Sequence, residues 1–133
     1  MIQRRRPARI ERSAPALVRR AKERLRPAHL AFIRTLPCVA CGKPAPSECA
    51  HVRMGTGGGM GYKPADRYCL PLCGPMGCHA RQHQIGETAF WAELGVDAVD
   101  ITVRLWAVTG DADQGLRTVE RAWQAIALHR AGP

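Results

Sequence analysis

Two close pairs of cysteines set the tightest limit on how this chain folds. Cys38-Val39-Ala40-Cys41 runs into Gly42, and Cys73 and Cys78 flank Gly74-Pro75-Met76-Gly77. A Cys-x2-Cys turn offers two thiolates to one ion, and a loop of Gly and Pro lets the wider pair do the same. Four thiolates at about 2.3 Å would complete a closed structural Zn2+ site. The basic N-terminus is not followed by the apolar stretch of an export signal, so the cysteines are expected to be reduced. A disulfide scaffold and ordinary small core residues are the alternatives. Cys49 and Cys69 are left over and read as buried thiols, with Cys69 a competing ligand because it lies four residues before Cys73.

Such a staple suits a chain of 133 residues with only 5% aromatics, which is about one domain with a modest core. No apolar run reaches the roughly 20 residues that span a bilayer, so the expectation is a cytoplasmic protein with no membrane partner. The net charge of +9 is concentrated in residues 1–34, which hold eleven of the twenty Lys and Arg and two of the eleven acids. Arg4, Arg5 and Arg6 lead this basic arm. An arm of this kind attracts a polyanion by releasing condensed counterions, without reading sequence; a solvated tail is the plainer reading.

Residues 1–12 read as a disordered arm, and Ser13 with Pro15 starts a segment of helical spacing that runs to Arg26. A short helix is expected over Ala28–Leu36, with His29 a surface or capping residue. Strands are expected at Ala50–Arg53 and Arg67–Leu72, around the glycine-rich stretch 55–61. Helix returns near His79 and runs, with breaks, through Phe90, Trp91 and Leu94 to a stop at Gly95. Val96–Val108 and Leu116–Leu128 read as amphipathic helices. Their expected core face is Val99, Val103, Leu105 and Trp106 with Val119, Trp123, Ile126 and Ala127. The chain thus divides into a basic arm (1–26), a zinc-stapled α+β centre (27–95) and a C-terminal helical pair (96–133).

Histidines gather around the cysteines. His79 and His83 stand at i and i+4 of an expected helix, so both imidazoles face one side and can bind one metal together. His51 lies ten residues after Cys41, where a neutral imidazole takes a proton from water near pH 7; zinc ligation or packing are its other readings. Asp66, just before the second strand, either holds a hard cation, orients His51 or serves a turn. Arg53, Lys63, Arg67 and Arg81 flank these groups and can hold phosphates, or can be plain surface charges.

The order of knuckle, histidine, acid, second knuckle and Cys-His resembles HNH (ββα-metal) nucleases that carry a structural zinc. The stretch AHVRMGTGGGMGYKPADRYCLPLCGPMGCHARQH is most similar to phage and prophage members, close to the recombination-enhancement nucleases. The likeness covers about residues 36–97 and leaves the arm and the two last helices unexplained. It implies an α+β fold in which a β-hairpin and a helix clamp one divalent cation, Mg2+ or Mn2+, beside a separate zinc. It implies that His51 is the general base, that His79 and His83 hold the cation, and that Asp66 stands near the middle residue of the motif. Two departures stand out. Ala50 occupies the position where many members place a cation ligand, and the second knuckle is wider than usual.

The expectation is therefore an endonuclease or nickase hydrolysing DNA as a monomer or weak homodimer. A non-catalytic zinc module that binds nucleic acid is the alternative. Only the enzyme needs the histidines free of the zinc shell.

Overall fold

The protein is described by a computed structural model over residues 24–56 and 64–133. The elements run α1 (Pro27–Arg34), β1 (Glu48–His51), β2 (Cys69–Leu72), α2 (Cys78–Ile85), α3 (Glu87–Leu94), α4 (Ala98–Ala107) and α5 (Ala112–Ala131). Five helices and a small two-stranded sheet thus make a mixed α+β fold among the described residues. The expected helix from Ser13 and most of the glycine-rich loop lie outside those residues.

Pro27, which lacks an N–H to leave unsatisfied, stands in the first turn of α1. Thr35 ends the helix, its hydroxyl donating to the Phe32 carbonyl at 2.6 Å. β1 and β2 pair antiparallel, Glu48 opposite Leu72 and His51 opposite Cys69. Each strand is shorter or earlier than expected. Val52 N–H still donates to Tyr68 O at 2.8 Å, but the next amides, of Arg53 and Met54, donate to the Glu87 carboxylate instead. That carboxylate ends the ladder and ties β1 to α3. Pro71 sits within β2 because a two-stranded sheet has only edge strands, and its carbonyl accepts from Val39 N–H at 2.9 Å.

The expected long helix is broken at Gly86, whose φ of +90° is open to glycine, giving α2 and α3. Asp97 and Asp111 cap α4 and α5, each accepting from the backbone three residues on at 3.1 Å. Phe32, Ile33, Leu70, Leu72, Phe90, Trp91, Leu105 and Val119 lie at the centre of one core drawn from α1, both strands and α3 to α5. Within the C-terminal pair the expected face is corrected in part. Ile101, Thr102 and Leu105 are buried whereas Val103 and Ala127 are exposed, because the inward stripe of each helix is narrower than the apolar residues along it.

His29 is also corrected: it is 1% exposed, stacked edge-on to Trp106 with ring centroids 4.9 Å apart. It faces inward because α1 lies against the end of α4. At Gly115, α5 approaches α1 so closely that a Cβ would stand 2.6 Å from the Phe32 ring.

Candidate functional site

The two cysteine pairs meet at one end of the hairpin. The first knuckle closes with Gly42 N–H donating to Cys38 O at 2.9 Å, and α5 clamps it through Trp123 Nε1–H to the same carbonyl at 3.0 Å. The second pair is brought together by the turn after β2, where Cys78 N–H donates to Cys73 Sγ at 3.2 Å. Gly77 leaves room for this: a Cβ there would lie 2.6 Å from Cys73 Sγ. The sulfurs of Cys38, Cys41, Cys73 and Cys78 all lie within 4.8 Å of one another.

Cys41 and Cys73 sulfurs are 3.7 Å apart, against about 3.8 Å for the edge of a tetrahedron with 2.3 Å metal–sulfur bonds. The donor set and its size therefore fit a tetrahedral metal ion. Burial pushes the Cys73 thiol up, but hydrogen bonds from the Cys78 amide and the neighbouring thiols outweigh it and leave it below its ordinary value. Burial raises Cys38 and Cys78. At Cys78 repulsion from the neighbouring Cys38 and Cys41 adds to burial, since crowded thiolates oppose one another. Cys49 and Cys69 stand outside this group; Cys49 Sγ donates to Leu30 O at 3.4 Å and Cys69 is fully buried.

His51 ends β1 with its side chain 14% exposed, and its Nε2–H donates to Asp66 Oδ1 at 3.0 Å. Asp66 is 3% exposed, and its other oxygen accepts from Arg26 N–H at 2.8 Å, while its own N–H donates to Arg24 O. The chain leading into α1 thus holds the carboxylate, and the carboxylate holds the imidazole. With Nε2 carrying the hydrogen, Nδ1 bears the lone pair and has no hydrogen bond among the described residues. Of the three readings of Asp66, its geometry is that of an orienting group.

A second histidine group stands at the other end of β1. His79 Nδ1–H donates to Glu48 Oε1 at 3.1 Å, and His79 Nε2 is 3.2 Å from His83 Nε2. Glu48 and His51 are three residues apart, about 10 Å along a strand. No hydrogen bond joins His51 or Asp66 to His79 or His83 among the described residues. Asp66, expected to share a cation with His79 and His83, therefore keeps company with His51.

Glu48 was not singled out from the sequence. Its strand position carries no spacing signal for a histidine thirty-one residues on, and only the packing of α2 against the hairpin end pairs them.

Among the expected phosphate contacts, Arg53 and Arg67 are exposed, with the Arg67 guanidinium 4.7 Å from the Tyr68 ring centroid. Arg81 is held by both oxygens of Glu93 at 2.7 and 3.0 Å, which leaves it a weaker phosphate ligand than its position suggests. Arg4, Arg5, Arg6 and Lys63 lie outside the described residues. No helix among those residues is long and apolar enough to cross a membrane.

The family model described as "Protein of unknown function (DUF968)" matches residues 7–105, most of the chain, including the four cysteines, Glu48, His51, Asp66, His79 and His83. The chain belongs to the DUF968 family. No curated protein and no solved structure matches it. In this DUF968 protein the matched span ends within α4, so the thiol cluster, the hairpin and α2 belong to the shared part and α5 to the remainder.

Proposed function

We propose that this DUF968 protein is a metal-dependent DNA endonuclease or nickase of the HNH (ββα-metal) type, built around a structural zinc. The observation that carries the reading is the sequence of parts: a strand ending in an oriented histidine, a second strand paired to it, and after the Cys73–Cys78 turn a helix bearing two histidines whose ring nitrogens converge. Neither histidine group is absorbed by the four thiols, which close a site by themselves.

In this reading His51 Nδ1 takes the proton from a water that attacks phosphorus, and Asp66 stabilises the imidazolium that forms. His79 and His83 hold a divalent cation, which when bound supplies charge stabilisation for the phosphate and leaving oxygen. A scissile phosphate with its attacking water occupies several ångströms, so base and cation ligands need to flank it rather than touch. The basic arm supplies sequence-independent attraction for the polymer.

The test is cleavage of supercoiled plasmid with Mg2+ or Mn2+, beside EDTA and the His51→Ala protein. Metal-dependent nicking that falls at least 100-fold in His51→Ala is expected, since general-base catalysis is worth about 10²–10⁴. Asp66→Asn should retain part of the rate. Tight DNA binding with no cleavage under any cation would replace the enzyme by a zinc-stapled binding module.

A further inference from the structure

The Glu48–His79–His83 group has a chemistry of its own. His79 is 20% exposed at the side chain and its Nδ1–H is committed to Glu48, so Nε2 must be the nitrogen with the free lone pair. That lone pair faces His83 Nε2 at 3.2 Å. Two imidazole nitrogens bound to one ion at about 2.05 Å lie about 3.3 Å apart in a tetrahedral arrangement. The pair is already at the spacing of a shared ion. In the absence of an ion, His83 Nε2–H donates to His79 Nε2; ion binding needs only the His83 hydrogen to move to Nδ1.

Glu48 reaches His79 across the start of the cysteine loop, its carboxylate lying where a Cβ on Gly74 would stand. A metal-binding histidine whose second nitrogen donates to a carboxylate is fixed in tautomer and ring orientation and made a better donor.

We propose that Glu48 is a positioning residue that locks His79 in its Nδ1–H form, so that His79 Nε2 and His83 Nε2 take one imidazole-preferring divalent ion. Ions of that class include nickel and zinc. This deepens the reading of α2 as the cation helix and rests on it, but concerns ion binding rather than cleavage.

The experiment is calorimetric titration of Ni2+ into the zinc-loaded, tag-free full chain, with 15N NMR of the His79 ring. The wild type should bind one nickel beyond its zinc and show His79 protonated at Nδ1. Glu48→Ala should weaken that nickel by roughly 10-fold, the lower end of what outer carboxylates contribute, and shift His79 towards the Nε2–H form. Glu48→Gln, whose amide oxygen still accepts, should lose less and guards against a folding defect in the alanine protein. His83→Ala should lose the nickel with zinc content unchanged. Wild-type nickel affinity in Glu48→Ala, nickel retained in His83→Ala, or no nickel bound beyond the zinc would each overturn the proposal. Nickel behaving as expected in a protein that cuts no DNA would instead sink only the nuclease reading.

Discussion

The imidazole of His29 and that of His51 differ only in what surrounds them. Thr109 gives its hydroxyl hydrogen to Trp106 O at 2.8 Å, so its oxygen accepts from His29 Nδ1–H at 2.7 Å. His29 Nε2 is then a bare, buried nitrogen with no partner among the described residues. Burial pushes the imidazole below its ordinary value, by more than the attraction of the Asp66 carboxylate raises it. The unfolded chain therefore takes this proton first, near pH 6.5, and the folded chain resists it. Stability from this group is complete above that pH and is lost as pH falls towards the lower folded value. Wild type should lose stability between pH 7 and pH 5 relative to His29→Asn, whose amide can still donate to Thr109. Equal pH slopes in urea unfolding would show that His29 is not the titrating group. At His51 a carboxylate accepts from one nitrogen and the other has no hydrogen bond among the described residues, which makes a candidate base of a strand-end histidine.

Among elements, the α1–α5 crossing is the most sensitive. Glycine in a helix interior ordinarily costs about 1 kcal/mol relative to alanine. Gly115 lies in the first turns of α5, yet a Cβ there would meet Phe32 at 2.6 Å and Leu36 at 3.0 Å, both buried side chains with little room to move. Gly115→Ala should therefore reverse the usual sign and destabilise by about 1–3 kcal/mol, the ordinary range for overpacking, as read from urea unfolding. A stabilised variant would mean that the Phe32 ring shifts freely. The same crossing presses Trp123 of α5 onto the first cysteine knuckle, so a fault in helix packing is also a fault at the thiol cluster.

Across the whole molecule, the thiol cluster joins three parts: the knuckle after α1, the end of β2 and the start of α2. Zinc there would cross-link segments up to forty residues apart, and its binding free energy would be folding free energy. The purified protein should hold one zinc per chain at the four cysteines. Cys73→Ser, or a chelator strong enough to strip the ion, should lower the melting temperature by well over the roughly 4–8 °C that 1 kcal/mol is worth in a small domain. Unchanged melting after complete removal would show that the apolar core suffices. The core is not negligible, since Phe90, Trp91, Ile33, Leu70 and Leu72 are each almost wholly buried.

The linear order of residues was enough to identify the four thiols, because paired cysteines at short spacing beside glycine and proline have few other uses. It was enough to put His79 and His83 on one helix face, since that follows from 3.6 residues per turn, and to end helices at Gly95 and near Gly110. These are local properties, set within a turn or a loop. Long-range placement was not legible in that way. Whether Asp66 met a cation or His51 depended on where the chain before α1 crosses it, and whether Glu48 met His79 depended on α2 folding back on the hairpin. His29 likewise looked like a surface residue until α4 closed over it. A side chain's partner across thirty or eighty residues is decided by packing, which minimises exposed apolar area for the whole chain at once and leaves no periodic mark in the sequence.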